Sequence, residues 1–130
     1  MLAKIVVEDY MTKKLVTLAK DTNVIDAIKK LLDHKITSAP VVDAKGQLIG
    51  VFSEKDGMKV FLESVYDQGM SGKVGEFMTT EIIKVDAMLS IVNLAEKFQT
   101  NSVRSFPVFQ DGKLVGVISR TDVLKALVAI

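Results

Sequence analysis

One hundred and thirty residues suffice for about one domain, and the 48% apolar and 25% charged shares are ordinary globular values that exclude a disordered tail. Seventeen Lys and Arg against sixteen Asp and Glu leave a formal charge of +1, too weak a field to argue for nucleic acid or an anionic membrane as partner. The absence of Cys and the single His34 exclude disulfides, thiolate or two-histidine metal sites, iron–sulfur clusters and a cysteine nucleophile.

The opening MLAKIVVEDY meets Glu8 and Asp9 too early for a secretory signal. No apolar run reaches the ~20 residues that cross a bilayer, so a cytoplasmic location is expected. LVTL (15–18) is a short extended run. Asn23-x-x-Asp26 then has the form of a helix N-cap with a polar partner, and Val24, Ala27, Ile28 and Leu31 follow at helical spacing. APVV (39–42) predicts a strand that opens near Pro40, and DAKG (43–46) supplies a turn. LIGVF (48–52) is so continuously apolar that burial on both faces is expected. Ser53 opens a second helix over 54–66, and YDQGMSGK (66–73) has the composition of a linker.

The same series then repeats. IIKV (82–85) is extended, Ser90-x-x-Asn93 caps a helix carrying Ile91, Leu94, Ala95 and Phe98, and FPVF (106–109) and LVGVI (114–118) flank QDG (110–112). Ser119 opens a last helix over 120–129. Three blocks return in order. VEDYMT (7–12) matches VGEFMT (74–79), ITSAPVV (36–42) matches VRSFPVF (103–109), and GQLIGVFSEKDGMK (46–59) matches GKLVGVISRTDVLK (112–125). The chain is a duplication of a β-α-β-β-α unit, with a first repeat at 1–65, a linker at 66–73 and a second repeat at 74–130. Each unit alone is near the lower limit for an independent core. An α+β globule with the repeats packed about a pseudo-twofold axis, and a groove between them, is therefore expected.

GVFSEKD (50–56) and GVISRTD (116–122) carry the most chemistry. Ser-x-x-Asp is a capping box, which explains the residues without any ligand. The same geometry turns free N–H groups and a positive dipole end toward an anion, and an aspartate there is the usual acceptor for vicinal ribose hydroxyls. The two readings are compatible.

Two ordered copies of S-x-P-V-V/F followed by G-h-h-S-x-x-D resemble a CBS domain pair, from about Val7 to Leu127. The resemblance implies a regulatory binding module without catalytic residues. Its ligands would be adenosine compounds (AMP, ADP, ATP, S-adenosylmethionine, sometimes NAD) held in the clefts between repeats, with an energy-sensing role, and its assembly a homodimer. It implies that Asp56 and Asp122 bind ribose, that Ser53 and Ser119 lie near ribose and phosphate, and that Thr37, Ser38, Pro40 and Arg104, Ser105, Pro107 line the base and phosphate side. Arg104 and Arg120 favour the second site, because the first has Thr37 and Glu54 at those positions and Lys55 as its nearest cation. Gly57, matched by Val123, would admit a ligand or partner backbone, or else marks a lost pocket. Val60, Phe61, Leu124 and Leu127 are candidate dimer contacts, with the core as the alternative, and output would pass to a separate effector protein. The competing reading is a scaffold or dimerisation module whose Ser-x-x-Asp motifs only cap helices. Thr12 and Thr79 could cap or touch a ligand, with capping preferred, Met11 and Met78 would fill the core, and His34 would be a solvated surface residue. No metal, nucleic acid or membrane is expected.

Overall fold

The structure is a computed structural model describing residues 4–66 and 72–129. The chain divides into two compact units, one formed by Val16–Ile82 and the other by Met1–Leu15 together with Ile83–Ile130. The compact units and the sequence repeats are thus different partitions of the chain. The first fifteen residues belong with the second repeat, and the segment that opens the second repeat belongs with the first. Residues 67–71 of the expected linker lie outside the described residues.

In the unit Val16–Ile82, Asn23 ends the approach to helix α1 (Val24–Asp33) by accepting the Ile25 N–H on its side-chain oxygen at 2.8 Å. This satisfies one of the free first-turn donors. Val24, Ala27 and Leu31 form the buried stripe of α1, while His34 closes the helix in an exposed position. Strands β1 (Ser38–Val42) and β2 (Leu48–Ser53) form an antiparallel hairpin, and β2 passes directly into α2 (Glu54–Tyr66). The expected strand at 15–18 reduces to one parallel bridge, Leu18 to Val41. A short helix, α3 (Val74–Phe77), follows, and Thr79 then bridges antiparallel to Val51. The core of the unit is Leu18, Val24, Ala27, Leu31, Ala39, Val41, Phe52, Val60 and Val74.

The other unit repeats the plan. A 3₁₀ turn at Val7–Asp9 hangs on Ala87 and Leu89, whose carbonyls accept the Glu8 and Val7 N–H groups at 2.9 Å. Strand β3 (Val85–Asp86) lies parallel to β4 (Ser105–Gln110), and β4 pairs antiparallel with β5 (Lys113–Ser119). Helix α4 (Ile91–Thr100) is capped by Ser90, whose hydroxyl oxygen accepts the Asn93 N–H at 3.1 Å, and α5 (Arg120–Ala129) follows β5 without a break. Asp111 and Gly112 join β4 to β5 with φ of +52° and +76°, the left-handed pair that a two-residue hairpin turn requires. The core is Val7, Val85, Ala87, Ile91, Leu94, Phe98, Phe106, Val108, Ile118 and Ala126.

Burial and pairing correct or decide three further sequence expectations. Burial along β2 and β5 alternates, with Gly50, Phe52, Gly116 and Ile118 buried between half-buried neighbours, so these strands do not bury both faces equally. Val60 is a core residue at 3% exposure, whereas Phe61, Leu124 and Leu127 lie at the surface. The prolines are the third residues of their strands. Pro40 faces Val51 and Pro107 faces Val117, and both valines direct their backbone N–H and C=O away to Thr79 and Thr12 at 2.9–3.0 Å. Each proline therefore sits at a pair that asks it for no donor on that side.

Candidate functional site

The junction where β2 becomes α2 gathers the predicted residues of the first repeat. Ser53 is the last residue of β2 and pairs with Ser38, while the Thr37 carbonyl accepts the Glu54 N–H at 2.9 Å. Asp56, one turn into α2, turns back to accept the Ser53 N–H at 2.8 Å, and the Ser53 hydroxyl oxygen accepts the Asp56 N–H at 3.3 Å. The capping box read from Ser-x-x-Asp is formed in full.

The β5–α5 junction is built alike. Ser119 pairs with Ser105, the Arg104 carbonyl accepts the Arg120 N–H at 3.2 Å, and the Ser119 N–H donates to Asp122 at 2.9 Å while Ser119 Oγ accepts the Asp122 N–H at 3.2 Å. Pro40 and Pro107 stand two residues into the hairpins, buried. Thr37, Ser38, Ser53 and Asp56 thus meet at one helix N-terminus, and Arg104, Ser105, Ser119, Arg120 and Asp122 at another. Both aspartates are deeply placed, Asp56 at 2% exposure and Asp122 at 9%. Arg104 and Arg120 are exposed, as is Glu54, so the second junction is the more cationic. Arg120 also lines a groove of about 630 Å³ between α4 and α5, whose walls include Ile91, Ala95, Phe98, Val123 and Leu127. Among the described residues no cluster of His, Asp or Glu is suited to a metal ion.

Each junction is completed by a segment from the opposite sequence repeat. Met78-Thr79 lies on Gly50-Val51, and Met11-Thr12 lies on Gly116-Val117. The approach is so close that a Cβ at Gly50 would stand 2.5 Å from the Met78 sulfur and 3.1 Å from the Thr79 carbonyl oxygen. At Gly116 it would stand 2.8 Å from the Thr12 carbonyl oxygen and 2.9 Å from the Met11 sulfur. The duplicated Met, Thr and Gly identities are therefore parts of one arrangement. Sequence comparison marked those residues as equivalent but carried no signal that the copies exchange them. The Thr79 hydroxyl also leaves its expected capping role and donates to Asp56 Oδ1 at 3.2 Å. Gly57 serves α1: a Cβ there would meet Ile28 at 3.5 Å, so the space beside it is held by that side chain.

Comparison with known proteins identifies the family and the fold. The family model described as the CBS domain matches residues 7–63 and 74–129. The crystal structure of CBSX2 in complex with AMP is 28% identical with a TM-score of 0.83, covering 96% of this chain and 97% of that one. The CBS domain pair of MJ0100, in complex with 5'-methylthioadenosine and S-adenosyl-L-methionine, superposes with a TM-score of 0.83 at 24% identity over 95% and 96% of the two chains, a likeness of fold. An uncharacterized protein of Methanocaldococcus jannaschii, MJ1225, is 26% identical over 93% of this chain, which spans 42% of that protein's length. Among the described residues no helix is long and apolar enough to cross a membrane.

Proposed function

Because the chain belongs to the CBS-domain family and carries two copies of that domain, we propose that it is a cytoplasmic regulatory module that binds adenosine-containing compounds and performs no catalysis. One observation carries the reading: Asp122 is nine-tenths buried at a helix N-terminus, yet only one of its carboxylate oxygens has a protein partner among the described residues. A buried carboxylate with an open oxygen beside the positive end of a helix dipole suits a ribose hydroxyl next to an anionic group. Asp122 and Asp56 take ribose, Ser119 and Ser53 lie beside it, and Arg104 and Arg120 face phosphate. Thr37, Ser38, Pro40, Ser105 and Pro107 line the approach. AMP in the related CBSX2 structure supports a nucleotide of this kind, with ADP, ATP and S-adenosylmethionine as the other ligands to try.

Thermal unfolding with and without each ligand tests the proposal. A ligand at a hundredfold excess over its Kd adds about 2.7 kcal/mol of stability. Asp122→Ala should remove most of that shift. No shift with any of the four at millimolar concentration would sink the reading and leave a scaffold whose motifs only cap helices.

The signal, in this reading, leaves through a second copy of the chain. Met58, Phe61, Leu62 and Val65 recur at helical spacing on α2, all more than half exposed, and Leu124, Leu127 and Val128 do so on α5. Such stripes exceed what single surface apolar residues explain. Leu124→Glu with Leu127→Glu should convert a dimer to monomer in sedimentation equilibrium, and an already monomeric parent protein would remove this route.

A further inference from the structure

The two junctions are made of the same four residue types, bonded differently. Ser53, Asp56, Lys59 and Thr79 of one correspond to Ser119, Asp122, Lys125 and Thr12 of the other. Asp56 is closed on itself. Its Oδ2 accepts both the N–H and the hydroxyl of Ser53, at 2.8 and 3.1 Å. Its Oδ1 accepts the Thr79 hydroxyl at 3.2 Å and has Lys59 Nζ at 3.9 Å. Asp122 Oδ2 accepts the Ser119 N–H alone, and its Oδ1 has no partner among the described residues. That oxygen reaches the surface, because no buried side-chain oxygen or nitrogen among the described residues lacks a partner.

Given nucleotide binding at these junctions, we propose that they fill in order, Asp122 first, and that Thr79 is the gate at Asp56. A vicinal diol held by one carboxylate donates one hydroxyl to each oxygen. At Asp122 one oxygen is vacant and the other has spare acceptor capacity. At Asp56 the diol must share Oδ1 with the Thr79 hydroxyl and the nearby Lys59 ammonium, or displace that hydroxyl, and must compete on Oδ2 with two donors already in place. Giving up one hydrogen bond to a charged acceptor weakens binding by roughly tenfold. The flanking charges act in the same sense, since Arg120 follows Ser119 where Glu54 follows Ser53. Thr79 is thus a specificity-determining residue supplied by the segment that the other repeat contributes.

Calorimetric titration with AMP, and separately with S-adenosylmethionine, tests the order and the gate. The parent protein should show a tight and a weak phase. Asp122→Asn, which keeps the shape of the cap, should remove the tight one. In that background Thr79→Val should tighten the remaining phase by about tenfold, and Thr79→Ser, which restores a hydroxyl, should return it to the weak value. A double variant Asp122→Asn with Thr79→Val that binds no tighter than Asp122→Asn overturns the gate, as do two equal phases in the parent for the order. A parent protein that binds neither compound fails at the earlier step, the nucleotide reading itself.

Discussion

The two units place bulk differently on one backbone plan. In the first hairpin Ala39 faces Phe52; at the equivalent positions of the second, Phe106 faces Ile118. Between the helices Ile28 packs beside Gly57, whereas the matching residues are Ala95 and Val123, both on the wall of the α4–α5 groove. The second hairpin sets two large residues where the first sets small against large, and between the helices large against small becomes small against larger. The junctions show the opposite behaviour, with Ser, Asp, Gly, Met and Thr standing at the same positions in both. Where a core needs only volume, several combinations fill it. Where a hydrogen bond or a close backbone approach sets the requirement, one residue type serves.

Phe106→Ala should be the most damaging test of this contrast. Phe106 is 1% exposed with its ring 4.6 Å from that of Phe98, so its loss should cost about 4 kcal/mol in urea unfolding. A cost below about 1 kcal/mol would mean the core refills the space freely. Gly116→Ala comes next, at about 3 kcal/mol, because the new methyl meets a backbone oxygen at 2.8 Å. Gly50→Ala should cost about half that, its nearest contact being the flexible Met78 thioether. Equal costs would break the distinction between backbone and side-chain crowding. Gly57→Val should cost about 2 kcal/mol against Ile28, and adding Ile28→Ala should recover at least about 1 kcal/mol by transplanting the pair of the second repeat. Strict additivity would show that the two positions are not one packing unit. Gly57→Ala has room at 3.5 Å and should stabilise by about 0.5 kcal/mol through helix propensity, which thermal unfolding resolves.

Much of this is legible in the amino-acid sequence. Helices α1 and α4 announced themselves by Asn23 and Ser90 followed by a buried stripe, and the junction residues stood out because Ser, Asp and the preceding Gly recur in order. A repeat reveals which residues correspond, however, and says nothing about which copy each segment packs upon. The exchange of Met11-Thr12 and Met78-Thr79 was hidden for that reason. The continuous apolar runs of β2 and β5 likewise hide an alternation of burial. Successive side chains point to opposite faces, so Val51 and Val117 are half-buried beside the buried Phe52 and Ile118 despite an unbroken apolar run. LVTL was too short to show that only Leu18 would pair. The hydroxyl of Thr79 could serve a cap or an aspartate equally well, and only its position decides.

The partition of the chain also sets a timetable for synthesis. All of Val16–Ile82 leaves the ribosome as one continuous stretch, and that unit has every partner it needs while translation is still under way. Residues 1–15 must wait for 83–130, because Val117, the backbone that Thr12 pairs with, is synthesised only after the whole of Val16–Ile82. That segment is therefore held in place later than the stretch that follows it, a long-range closure that slows assembly of that half.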